Sequence, residues 1–171
     1  MRIARDTTHP TSSSEQVRRY AVSAIAVAAA AAAGARAVEP NTEWYRSLRL
    51  PAWQPPPWAF GAVWTPLYAS LTFVGGHASG RIQGRDRQRF LASLGTNLAL
   101  NAGWNWLFFR LRNPWAALVG TVLLDVSNVQ LIRRTMRSDR TAARALWPYT
   151  AWCLFATGLN ASIAHRNPSR A

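Results

Sequence analysis

Lysine is absent from this sequence, and cysteine occurs once, at Cys153. A single thiol excludes an intrachain disulfide and a cysteine-cluster metal site. The three histidines, His9, His77 and His165, have no metal-ligand spacing. An axial haem ligand from His77 is therefore a weaker reading than a histidine at a helix end. No serine or cysteine has a histidine at a spacing that would make it a nucleophile, so conventional acid–base hydrolysis is not expected. Acids are scarce as well, seven against 20 arginines, for a formal net charge of +13. Only Asp125 falls inside an apolar run, so a carboxylate pair or proton relay lacks its second member.

A charge of +13 raises the question of nucleic acid. The arginines do not form one basic face. They gather at Arg2 to Arg19, Arg36 to Arg49, Arg81 to Arg89, Arg110 and Arg112, Arg133 to Arg144, and Arg166 with Arg170. Long stretches almost without charge lie between these clusters, which the mean hydropathy of -0.09 conceals. Arginine at the ends of apolar runs suits lipid headgroups, and a nucleic-acid partner is not expected. Nine tryptophans agree, since indole prefers the membrane interface, where its ring is buried and its N–H stays wet.

The uncharged runs predict an all-α membrane protein, a bundle of five transmembrane helices, over residues 20–35, 60–78, 90–109, 115–132 and 145–164. The third run has 20 residues and covers about 30 Å as a helix, the thickness of the hydrocarbon core. No ten-residue alternation points to a barrel. Residues 1–16 are polar and expected to be disordered, with a tail at 167–171. The first run has a rival reading. Arg18-Arg19, the alanine stretch and Ala35-Arg36-Ala37 also look like a signal peptide with its cleavage site. A retained first span is the expectation, because four spans follow. Pro66 and Pro148 are expected near span ends. The connection from Ala37 to Pro57 holds five prolines with Trp44 and Trp53, a stiff aromatic loop of the kind that covers something. Thirteen arginines flank one set of span ends and seven the other, which places the N-terminus in the cytoplasm.

Asn97, Asn101 and Asn105 recur every four residues, so their amides share a helix face expected to point inward. Gly95, Ala99 and Gly103 recur likewise on roughly the opposite side, a small face fit either for packing within the monomer or for a homodimer contact. Asp125 is either functional or simply hydrogen-bonded near Ser127 and Asn128. Trp64, Trp104, Trp106 and Trp152 lie in or near spans, with Trp53 and Trp58 at the loop. Aromatic faces with a few amides make a pocket for a flat apolar ligand. Interfacial belt positions explain Trp115 and Trp147 better than Trp64 and Trp152.

The run Trp44-Tyr45-Arg46-Ser47-Leu48-Arg49-Leu50-Pro51-Ala52-Trp53-Gln54-Pro55-Pro56, followed by Phe60-Gly61-Ala62-Val63-Trp64-Thr65-Pro66-Leu67-Tyr68, resembles the opening signature of the TspO/MBR family of tryptophan-rich sensory proteins. That family includes the mitochondrial translocator protein. Leu98 to Asn101 with Trp104 and Phe108-Phe109 resembles its third helix. Pro148-Tyr149 through Leu159-Asn160 resembles its fifth. The resemblance implies five helices around a pocket closed by the first loop, often in a dimer. It also implies porphyrin ligands such as protoporphyrin IX or haem, with cholesterol or benzodiazepine-type drugs for some members. Trp64 and Trp152 match pocket tryptophans linked to light-dependent porphyrin breakdown. Asn101, Trp104 and Ala156 match other pocket positions, and Trp53 the lid. The sequence departs from the family at Leu50, where a basic residue usually precedes the proline, and at Asp125, which has no counterpart. No aromatic lies between Leu159 and Arg166, as the mammalian sterol motif requires.

The leading expectation is an integral, multi-pass protein of a bacterial cell membrane that binds, sequesters or moves porphyrins. A light- and oxygen-dependent porphyrin-degrading protein, with Trp64 and Trp152 as redox partners, is the second. A small transporter of apolar cations coupled through Asp125 is the third.

Overall fold

Apolar runs punctuated by proline, asparagine and arginine become helices, and the punctuation sets their ends. The computed structural model describes residues 13–168, which are helical throughout apart from short connections. Helix α1, Ser13–Ala35, is built largely of alanine, the strongest helix former. A single turn, α2, Glu43–Arg46, is capped by Thr42, whose hydroxyl accepts from the Tyr45 N–H. Helix α3, Pro57–Arg81, opens on a proline, where the missing N–H has no intrahelical partner to lose. Helix α4, Gly84–Asn105, runs on into a π-helical turn, Trp106–Arg110. Arg112, at a φ of 52°, reverses the chain, and Asn113 caps α5, Pro114–Met136, by accepting from the Ala116 N–H at 2.9 Å. Asp139 caps the short α6, Arg140–Ala145, and α7 is Trp147–Arg166.

Four expectations are corrected. The first span begins earlier, at Ser13, so residues 13–16 are helical and not disordered; the Arg19–Glu15 pair at 3.4 Å, four residues apart, helps close that first turn. The rest of the expected disordered segment, and residues 169–171 of the tail, lie outside the described residues. The tail does not begin at 167. Buried Asn167 accepts from the Arg49 N–H at 2.9 Å and donates to the Ile163 carbonyl at 2.8 Å, tying the first loop to the end of α7. The last span begins two residues later than expected, at Trp147, because Pro148 lacks the N–H that would carry the preceding short helix on across Leu146. Pro66 lies in the interior of α3.

Helix α1 lies against α3 and α4, while α5 lies against α4 and α7. The approach of α1 to α3 depends on glycine. A Cβ at Gly75 would collide with Ser23 Oγ, and one at Gly76 with the Tyr20 ring. Ser23 then donates to the Thr72 carbonyl at 2.9 Å. Leu71, Val74, Phe90, Leu131 and Leu146 fill the centre and are almost wholly buried.

Contacts between helix ends show which ends lie together. Arg134 on α5 donates to the Arg89 carbonyl on α4 at 2.8 Å, and Asp139 holds His77 Nδ1 of α3 at 2.6 Å. At the opposite end Arg110 pairs with Glu39 at 2.8 Å, and Trp106 Nε1 donates to the Ala33 carbonyl at 3.0 Å. By length and apolarity α1 and α5 are able to cross a membrane. Helices α3, α4 and α7 fall short of that mark.

Candidate functional site

The site is organised by the asparagines of α4. Asn97 is fully buried; it accepts from Tyr149 OH of α7 at 2.9 Å and donates to Asn128 Oδ1 of α5 at 2.6 Å. One turn further on, Asn101 donates to Tyr149 OH at 3.3 Å and accepts from Tyr68 OH of α3 at 3.3 Å. Three amides and two phenols thus join four helices. Each such group would cost about 1–3 kcal/mol if buried without a partner, so the network fixes the helices' rotation about their axes. Asn105 lies differently, beside Gly34 of α1, where a Cβ would touch its amide.

Above this network the aromatics converge. Trp64 stacks on Tyr68 with centroids 5.1 Å apart, and its ring edge meets Tyr149 at 6.2 Å. Trp152 stacks on Phe155 at 5.1 Å and meets Phe60 at 6.0 Å. Trp104 Nε1 donates to Asn160 Oδ1 at 2.9 Å, and Asn160 in turn donates to the Pro114 carbonyl at 2.7 Å. Its N–H satisfied, the Trp104 ring is held in one orientation, stacked on Phe108 at 5.6 Å.

Trp64, Asn101, Trp104, Trp152 and Ala156 line one apolar cavity of about 30 Å³. That is room for about one water. Phe60, Thr121, Leu124 and Cys153 complete its wall and were not singled out from the sequence. Thr121 and Leu124 belong to a buried row on α5 that continues through Asn128 and Leu131, a helical period visible in the sequence. Trp53 is not on the wall. It is half exposed and sets its ring edge-on to Phe155 at 5.7 Å, over the cavity's aromatic rim. The rest of the first loop packs beside it, with Trp44 against Phe108 and Tyr45 against Phe109, each at 5.6 Å.

Other singled-out residues lie elsewhere. Asp125 accepts from Thr157 Oγ1 at 2.7 Å; its second oxygen is buried without a partner, and it is not on the cavity wall. His77 sits near the far end of α3 with Asp139 and Arg81, which removes it as an axial ligand at the cavity. Gly95, Ala99 and Gly103 face outward, with open space beyond both glycines. Trp58, Trp106, Trp115 and Trp147 are exposed.

The described residues are all-helical, with an inward amide network, an aromatic cavity and a proline-rich loop beside it. A model of the TspO/MBR family matches residues 21–166, and the chain belongs to that family. The tryptophan-rich protein TspO of Chlorobaculum tepidum is 33% identical over 135 residues, which cover 76% of this chain and 83% of the relative. The protein of the same name from Archaeoglobus fulgidus is 38% identical over 120 residues, 70% of this chain and 77% of its own. The human translocator protein is 33% identical over 127 residues, 72% and 75% of the two chains. The family's proteins are membrane proteins, and two helices here are apolar enough to cross a bilayer.

Proposed function

We propose that this chain crosses its membrane five times, through α1, α3, α4 with its π turn, α5 and α7, as one domain over residues 17–166. In that membrane it binds a porphyrin-type tetrapyrrole in the aromatic cavity, to sense, sequester or move it. The convergence of Trp64, Trp104, Trp152 and Asn101 on one apolar cavity under the first loop carries this reading. Membrane insertion is supported by the outer surface. Val119, Val122, Leu123, Val126 and Val129 of α5 all face outward, an apolar stripe that water would penalise and lipid would not. The outward small face of α4 is where a second copy would approach.

Ligand pockets for drug-sized molecules run to about 300–1,000 Å³, so a macrocycle does not enter a cavity of about 30 Å³ as it stands. Binding therefore needs the first loop to lift, carrying Trp53 off Phe155 and letting Trp152 and Phe60 separate. Titration of the purified protein with protoporphyrin IX should give saturable quenching of tryptophan fluorescence. Trp53→Ala should raise both association and dissociation rates, since it removes part of the lid. Absence of saturable quenching at micromolar porphyrin would remove the binding reading.

A second reading, light- and oxygen-dependent porphyrin breakdown, is favoured by one observation: Trp64 and Trp152 both line the cavity, where an excited macrocycle would touch two oxidisable indoles. Cation transport coupled through Asp125 has no comparable support, since that carboxylate is bonded to Thr157 off the cavity.

A further inference from the structure

A groove of about 360 Å³, far roomier than the aromatic cavity, runs along the outside between α1, α3 and α4. Its chemistry changes along its length. One end carries Arg18, Arg19 and Arg87. Further along come Val22, Ala26, Leu91, Leu94 and Leu98, with no charge. Arg87 Nε is buried without a hydrogen bond and Arg18 is exposed, whereas Arg19 is paired with Glu15, its Nη2 3.4 Å from the carboxylate. Gly80 has no side chain where Arg19 lies, so the cation folds over α3 at the groove's head.

We infer that this groove is a binding site for an anionic phospholipid of the surrounding leaflet. The phosphate would sit among Arg18, Arg19 and Arg87, and an acyl chain would lie along Ala26, Leu91, Leu94 and Leu98. The inference rests on the membrane reading above. Charge complementarity selects the occupant: with Arg19 shared with Glu15, Arg18 and Arg87 leave two net cations at one end of an apolar furrow, which fits an acidic headgroup with a hydrocarbon tail. A zwitterionic lipid offers the same phosphate but brings its own ammonium, so it leaves those cations only partly compensated. Basic pockets between transmembrane helices on the cytoplasmic side are suited to acidic headgroups. The groove's head lies at the arginine-rich end of the molecule, the end that arginine asymmetry assigns to the cytoplasm.

The test uses the full chain reconstituted in equimolar phosphatidylcholine and phosphatidylglycerol. The protein is released gently, and its retained lipids are counted by native mass spectrometry. Wild type should keep phosphatidylglycerol several-fold over phosphatidylcholine. The double variant Arg18→Gln, Arg87→Gln should lose that preference, since one arginine beside an anionic headgroup is worth up to about five-fold. Ala26→Phe, which fills the tail end and leaves the charges, should lower retention of both lipids. No preference in wild type, or an unchanged preference in the arginine variant, overturns the site. If Ala26→Phe breaks self-association without altering lipid retention, a second copy occupies the groove and the inference is wrong. If protoporphyrin IX displaces phosphatidylglycerol from wild type, the groove takes porphyrin instead. Extraction of wild type from native membranes by alkaline carbonate would remove the membrane reading itself; retention in the membrane without lipid preference removes only this site. Should Ala26→Phe fail to fold, the arginine variant decides alone, its folding checked by porphyrin quenching.

Discussion

Two indoles on one cavity wall separate binding from chemistry at the level of single side chains. Replacing Trp64 or Trp152 by Phe keeps most of the apolar surface, so porphyrin affinity should fall by only about 1 kcal/mol, roughly five-fold. A phenyl radical cation is far harder to form than an indole one, so any light-driven loss of porphyrin absorbance should fall much more. Fluorescence titration and absorbance under illumination measure the two effects on the same sample. A proportional loss of both would make the indoles packing surface only. The buried amides allow a second prediction. Asn97→Leu removes the acceptor of the Tyr149 O–H and the donor to Asn128 Oδ1 together, and should destabilise the fold by about 2 kcal/mol. Thermal unfolding in detergent measures this, and a melting temperature equal to wild type would mean that the network does not hold the helices. The inward face of α4 was legible in the repeat of asparagine every four residues. Their phenolic partners were not, because a pairing across helices leaves no mark on spacing within one helix. Trp64 and Trp152 could be read as pocket residues because they lie too deep in their runs for a headgroup belt. Phe60, Thr121 and Leu124 resemble any core residue and could not.

Helices meet here through small residues, but the two small faces differ in what covers them. Gly75 and Gly76 are covered, since Ser23 and Tyr20 of α1 occupy the space where their side chains would be. Gly75→Val should push α1 away from α3, break the Ser23–Thr72 bond and destabilise the protein by about 1–3 kcal/mol. Gly95 and Gly103 have nothing within reach of a Cβ, so Gly103→Leu should leave the monomer intact. If that face binds a second copy, Gly103→Leu should weaken self-association without lowering the melting temperature. Chemical cross-linking with light scattering in mild detergent reads both quantities, and an unchanged oligomer would mean that another surface, or none, makes the dimer. The long helices lie over the runs without charge, because lipid and core alike exclude charge. Their ends were less legible. Ser13 to Gln16 are polar yet helical, and the π turn at Trp106–Arg110 follows from how the chain meets Arg112 and Asn113, which no hydrophobic period records.

Across the whole molecule the arginines sort by end. The start of α1, the connection from α3 to α4 and the connection from α5 to α7 lie at one end, where Arg134 reaches the Arg89 carbonyl and Asp139 holds His77. Thirteen of the 20 arginines flank that end in sequence. Cytoplasmic loops carry an excess of arginine and lysine, and acids contribute little to the bias, so pairing with Asp86 or Asp139 does not discount it. With the five crossings proposed above, the two termini would fall on opposite sides. A reporter fused before Tyr20 should therefore be cytoplasmic, and one after Ala164 should be outside. The family's usual orientation has the opposite sense, with the C-terminus cytoplasmic, so the experiment sets charge against ancestry. Replacing Arg133, Arg137, Arg140 and Arg144 by Gln removes four charges from the rich end, leaving nine against seven. Most of the bias would then be gone, and the two fusions should report mixed orientation. Wild type reporting the reverse pattern, unmoved by those four substitutions, would show that features other than arginine number orient the chain. A mature protein beginning near Val38 would show instead that α1 is cleaved, and the lipid groove that α1 helps to form would then be lost with it.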